Sequence, residues 1–327
     1  MFENETVSIR DAKRFLLDQH ADQEKKKYWR KKRAPNPDSE DSNESLETSS
    51  DGCTTTTMRE KQFSGCFEVV RQVDFPYSIV ALTCCGDFLF GIANGTNNSD
   101  RMNKLITFSI DTFEIIDILE FETGTNLFGL AYSPVDHSVV VCDSKHVIKI
   151  CLCERAIVWK RSLFRNDCCG IQVDKRGIIY CAMRKEKIIT LVSHDGFLLE
   201  KVNHKKRDLF KFRNDHTIFQ SFALDQSDNF IVLEKTDLLK CVLRIISRQG
   251  KELQNMKLVG FTNPCISLVV DGPTGNILFY FNQGITMLDK NLETIKIFQG
   301  SQFNRLAKAH NGNLYVIQEG VRGIIFK

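Results

Sequence analysis

Two stretches of the sequence carry residue types that could do chemistry together. Arg184, Lys185 and Lys187 follow one apolar run; Lys205, Lys206, Arg207, Lys211 and Arg213 follow the next, with Phe210 and Phe212 interleaved. Lysine and arginine neutralise phosphates and aromatic rings stack on unpaired bases, so this is the composition of a single-stranded RNA site. On an ordinary loop rim the same side chains are simply solvated. Protein recognition by the same surface is the alternative, so RNA and protein both stand as expected partners.

Other candidate centres carry less. Asp174, Asp225 and Asp271 each end an apolar run, where an aspartate accepts backbone N–H groups in an Asx-turn. As inward carboxylates they would belong to a calcium-dependent, lactonase-like hydrolase, which needs several Asp, Asn and Glu side chains converging on one channel. The runs that would line it read Val80-Ala81-Leu82, Leu130-Ala131-Tyr132 and Phe222-Ala223-Leu224. No metal cage, cofactor or catalytic constellation is expected, and the chain reads as a non-enzyme without a small-molecule substrate. Cys84-Cys85, Cys168-Cys169 and Cys151-x-Cys153 lack the spacing and histidine partners of a zinc site. No nucleophile elbow, phosphate-binding glycine loop or dinucleotide fingerprint occurs.

The elements that must position these residues fall into two regions. In residues 1–62, Ser8-Ile9-Arg10-Asp11 resembles a capping box and Ile9, Ala12, Phe15 and Leu16 share a face, so a short helix is expected. Lys25–Arg33 holds seven basic residues in nine, a nuclear-import signal or a solvated tail, and the acidic stretch Asp38–Gly52 follows. Like charges in blocks repel, so this tail is expected to be disordered. No apolar run is long enough for a membrane-spanning helix. Met1-Phe2-Glu3-Asn4-Glu5 is no secretory leader, so the twelve cysteines are expected as free thiols in a reducing, cytoplasmic setting, with nuclear entry through Lys25–Arg33 as the variant.

From residue 63 to 327 short apolar runs alternate with Gly, Asn and Asp turns. The clearest unit is Gly170–Val173, a turn at Asp174–Gly177, Ile178–Ala182, Ile188–Val192, the Asp195-Gly196 hairpin signal and Phe197–Val202. Copies of this order place the ends of successive first strands at Thr83, Ser133, Asp174, Asp225, Asp271 and Ala309, spaced 50, 41, 51, 46 and 38 residues apart. Four antiparallel strands in such a length make one propeller blade, which gives an all-β, six-bladed β-propeller. The sixth copy stops one strand short at Gly323–Lys327, and a spare strand, Cys66–Val73, precedes the first. The spare strand is therefore expected to pair with the last and close the ring.

The unit Gly170-Ile-x-Val-Asp-x-x-Gly-x-Ile-Tyr180 resembles NHL-repeat propellers, the six-bladed domains of TRIM-NHL proteins, and weaker copies occur at Leu268–Phe279 and Leu306–Val316. That resemblance covers residues 66–327 and implies a recognition platform for RNA or protein. The chain departs from the TRIM-NHL pattern in having no Cys-x-x-Cys pair, so no RING or B-box ligase activity is expected. The function expected is a non-catalytic platform that binds RNA or protein through its basic loops, or a substrate-recognition or scaffold subunit of a protein complex.

Overall fold

The computed structural model describes residues 61–95, 102–123, 125–163, 168–184, 188–199, 203–204, 207–208, 218–237, 240–259, 267–281, 284–300 and 303–327. All of them belong to the compact unit Thr57–Lys327. The expected helix at Ser8–Leu16, the charged tail and the Lys25–Arg33 run lie outside the described residues.

β1 (Val69–Asp74) precedes six repeats of one antiparallel meander. Blade 1 holds β2 (Ile79–Cys85), β3 (Phe88–Ala93), β4 (Met102–Ser109) and β5 (Ile115–Glu122). Blade 2 holds β6 (Gly129–Ser133), β7 (Ser138–Cys142), β8 (His146–Cys151) and β9 (Ala156–Ser162). Blade 3 holds β10 (Cys168–Val173), β11 (Ile179–Met183) and β12 (Ile188–Val192), followed by a two-stranded hairpin of β13 (Asn203–His204) and β14 (Arg207–Asp208). Blade 4 holds β15 (Ile218–Leu224), β16 (Phe230–Asp237), β17 (Lys240–Ile246) and β18 (Glu252–Val259). Blade 5 holds β19 (Leu268–Val270), β20 (Ile277–Phe281), β21 (Gly284–Leu288) and β22 (Thr294–Gln299). Blade 6 joins β23 (Phe303–Lys308), β24 (Leu314–Gln318) and β25 (Arg322–Phe326) to β1.

The closure expected from the spare strand is present: Val69 pairs with Phe326, Arg71 with Ile325, Val73 with Gly323 and Asp74 with Arg322. It begins at Val69 rather than Cys66. Phe67 takes a positive φ of 49° and its ring packs on Phe63, Phe298 and Phe326 instead of joining the ladder. The end of the first strand also differs, since β2 runs on to Cys85, past Thr83. In blade 3 the expected fourth strand is reduced, among the described residues, to one bridge between Val192 and Leu198.

The core lies between blades. Successive side chains point to opposite faces of each strand, and in middle strands such as β7 and β21 both faces are buried, each against a neighbouring blade in a separate cluster. Leu89, Phe108 and Phe113 of the first blade pack with Ala307, Tyr315 and Ile317 of the last. Equivalent clusters fill the seams between blades 1 and 2, 2 and 3, 3 and 4, 4 and 5, and 5 and 6. A cluster joining the last blade to the first is what a closed ring requires.

The rim carries a further repeat. In blades 1, 2, 4, 5 and 6 the outermost strand holds one extra residue where it meets its neighbour: Ile116, Val158, Leu253, Ile295 and Val70. All five are aliphatic and 47–55% exposed. A bulge bends an edge strand and spoils its ladder, which keeps edges from pairing with other chains.

Candidate functional site

The loops joining second to third strands share a face of the disc with the connections between blades. Arg184 stands there, exposed, just after β11. Arg207 opens β14 and its backbone pairs with His204, so this connection is built around a small hairpin rather than a plain loop. Lys185, Lys187, Lys205, Lys206, Phe210, Lys211, Phe212 and Arg213 lie outside the described residues. Other cations near that face lie in strands and are tied to their neighbours. Lys104 is ion-paired with Glu120, Lys160 Nζ donates to the Thr123 carbonyl at 3.1 Å, and Arg322 pairs with Asp74 at 2.9 Å. Beside exposed Lys145, the buried carboxylate of Asp143 accepts the N–H groups of Lys145 and His146 at 2.6 Å. Burial pushes that carboxyl up, but bonds from the Thr125 hydroxyl, His146 and these amides outweigh it and hold it below the usual carboxylate range.

On the opposite face the aspartate turns are as expected at two positions. Asp174 accepts the N–H groups of Arg176 and Ile178, and Asp225 those of Ser227 and Asn229. Asp174 does more than cap. Its second oxygen takes the Tyr180 hydroxyl at 3.1 Å and the Arg176 guanidinium at 2.7 Å, while Arg248 of blade 4 donates to the same hydroxyl at 3.0 Å. Burial, with the Asp174 charge beside it, pushes the Tyr180 phenol up. Asp271 departs from the pattern: its carboxylate takes the Thr274 hydroxyl at 2.6 Å and forms a buried ion pair with Lys308 of blade 6 at 2.7 Å.

The six inner strands enclose a cavity of about 230 Å³. Its polar groups bind across blades. Gln172 donates to Phe222 O, Ser267 to Leu306 O, Cys84 to Lys308 O and Arg305 to Val80 O. The described residues that line it include no Asp, Glu or His. Among the described residues no three His, Cys, Asp or Glu side chains are placed to hold a metal ion. The described cysteines are free thiols, those of Cys84-Cys85, Cys168-Cys169, Cys151 and Cys153 among them.

Two groupings were not legible as sites in the sequence. Cys142, Cys168 and Cys181 lie buried together where blade 2 meets blade 3, and hydrogen bonding to Cys168, with burial, pushes the Cys142 and Cys181 thiols up. The second grouping is on the outside of the same seam. Trp159 Nε1 donates to His194 O at 3.1 Å, Arg161 lies 5.9 Å from the Phe197 ring centroid, and Gly177 lies between Val135 and His194, where a Cβ would stand 3.0 and 3.1 Å from them. Gly196, at φ +83°, passes so close to the indole that a Cβ there would stand 2.9 Å from it. The signals in the sequence were Ile157-Val158-Trp159, an apolar run that breaks edge-strand alternation, and Phe197-Leu198 directly after a hairpin turn.

No known family and no curated protein matches the chain. Among solved structures, a chain of "Crystal Structure of Mitotic Checkpoint Complex" is similar at 9% identity and a TM-score of 0.56, over 90% of this chain and 98% of that one. That likeness shows the fold. The fold and its closing strand define the chain as a six-bladed β-propeller.

Proposed function

We propose that the propeller is a non-catalytic platform that recognises protein partners, as a substrate-recognition or scaffold subunit. The observation that carries this reading is where the exposed apolar surface lies. Among the described residues nine large exposed aliphatic side chains, Val69, Val70, Ile116, Ile157, Val158, Leu253, Val259, Ile295 and Ile297, sit on outermost strands. They are spread over the rim of five blades in short groups, such as Ile157-Val158 beside Trp159, and a contiguous exposed apolar group of this kind marks an interaction site. The inner strands, where six-bladed enzymes place their chemistry, hold side chains bonded to neighbouring blades. The similar solved chain comes from a multiprotein complex, which supports the same reading. The Gly170–Tyr180 unit adds the NHL-like resemblance, whose members serve as recognition platforms.

RNA binding by the loop face is the second reading, favoured by exposed Arg184 at the start of its basic stretch. Cross-linking the full chain in cells, with and without ribonuclease, separates the two. The platform reading expects a stoichiometric protein to return whether or not RNA is digested. Recovery that vanishes with ribonuclease, and with charge reversal of Arg184, Lys185 and Lys187, would replace it by the RNA reading. Absence of catalysis is part of the proposal; calcium-dependent turnover of any lactone in a substrate panel would overturn it.

A further inference from the structure

The outer seam between blades 2 and 3 is richer in cations than the outer edge of blade 1. β9 reads Ala-Ile-Val-Trp-Lys-Arg-Ser, with two cations and no carboxylate, whereas β5 carries Asp117, Glu120 and Glu122. Trp159 is half-buried at the centre of the seam, fixed by its bond to His194 O and by the glycine over its ring. Phe197, half exposed, lies under the Arg161 guanidinium, and Val135 borders the group on the other side. Tryptophan, arginine and a second aromatic in one spot is the composition of binding hot spots, because such side chains bury large area at low entropic cost. Among the described residues no carboxylate pairs with Arg161 or Lys175, both of which are exposed, while Lys160 turns to the other side of β9 and bonds Thr123 O. Two acids beside the group have partners, Asp136 with Lys149 and Asp195 with His194 at 3.0 Å. Among the described residues the unbalanced charge of the seam is therefore positive.

We infer that this seam docks an acidic linear segment of a protein partner, which inserts an aromatic or aliphatic anchor beside Trp159 and Phe197 and sets carboxylates on Arg161 and Lys175. The inference rests on the protein-recognition reading and names the partner chemistry for one part of the surface. The bulge at Val158 interrupts the β9 edge, so the segment is held by its side chains rather than as an added strand.

Trp159 and Trp29 are the only tryptophans in the chain, which supplies a local probe. The full chain carrying Trp29→Phe is panned against a displayed library of random peptides, and selected peptides are titrated while Trp159 emission is followed. The expected result is enrichment of Asp- and Glu-rich peptides with an aromatic or aliphatic residue, a saturable emission change, and a loss of affinity of about tenfold or more in Arg161→Glu and in Phe197→Ala. Both side chains are exposed, so the variants' melting temperatures should match the parent's and separate binding from folding. Enrichment of basic or neutral peptides, no enrichment, selected peptides that leave Trp159 emission unchanged, or an emission change produced only by RNA or by the protein's own concentration would overturn it. Failure here is distinguishable from failure of the platform reading. Partners recovered from cells equally by wild type and Arg161→Glu/Phe197→Ala leave the platform standing and remove only this seam.

Discussion

Lys308 of the sixth blade and Asp271 of the fifth pair at 2.7 Å, with side chains only 2% and 0% exposed. Two charges withdrawn from water repay their desolvation only while both are present. Lys308→Met should therefore strand a buried carboxylate and cost about 3–5 kcal/mol, whereas the double replacement Lys308→Met/Asp271→Leu should cost much less. Denaturant unfolding of both variants checks the comparison, and equal losses would show that the pair is not coupled.

Tyr180 and Arg248 make a second bond between neighbouring blades, and blade 6 repeats it on blade 1, where the Tyr315 hydroxyl donates to the Ile110 carbonyl. Tyr180→Phe should cost about 1 kcal/mol or more, because Asp174 loses a donor and Arg248 an acceptor. The phenol is raised in the folded state, so the stability it contributes is complete below the ordinary tyrosine value of about 10 and is lost as pH rises toward the folded value. Melting curves through the alkaline range should fall less steeply for Tyr180→Phe than for wild type.

Asp143 gives the opposite dependence. Its carboxyl is held low in the fold, so its contribution is present above the unfolded carboxylate value and disappears as pH falls through the folded one. Asp143→Asn should be less stable than wild type at neutral pH, and the gap should narrow in acid. A gap constant with pH would mean that the hydrogen bonds, and not the charge, are what the site uses.

Gly196→Ala should destabilise by roughly 1–2 kcal/mol, since a side chain there meets both the positive φ and the Trp159 ring. Tryptophan emission should shift with it, because the new methyl group displaces the indole; unchanged emission and melting would contradict the close approach.

The ring and its closure were legible because blade spacing and turn chemistry repeat: Asp174 and Asp225 cap their turns, and the strand before the first copy pairs with the one that ends the last. Contacts between strands distant in sequence were not. Nothing in the pattern tells that Asp271 reaches from its turn to Lys308, or that Cys142, Cys168 and Cys181 meet, because the packing angle of neighbouring blades decides both. The basic loops were visible as composition, yet composition does not say which cations find a neighbour, as Lys104 finds Glu120. Bulges such as that at Ile116 depend on ladder register, which alternation alone leaves free.

Recognition of protein by the rim is the central claim, and cross-linking mass spectrometry of the full chain with its recovered partner tests it most directly. Lys160 and Lys257 mark two outermost strands, exposed Lys175 the blade 2–3 seam and Lys145 the loop face, while Lys185 and Lys205 belong to the basic stretches that the sequence assigns to the RNA reading. The account predicts that cross-links concentrate on Lys160, Lys175 and Lys257 and survive ribonuclease. Cross-links confined to Lys145, Lys185 and Lys205, and lost when RNA is digested, would contradict it.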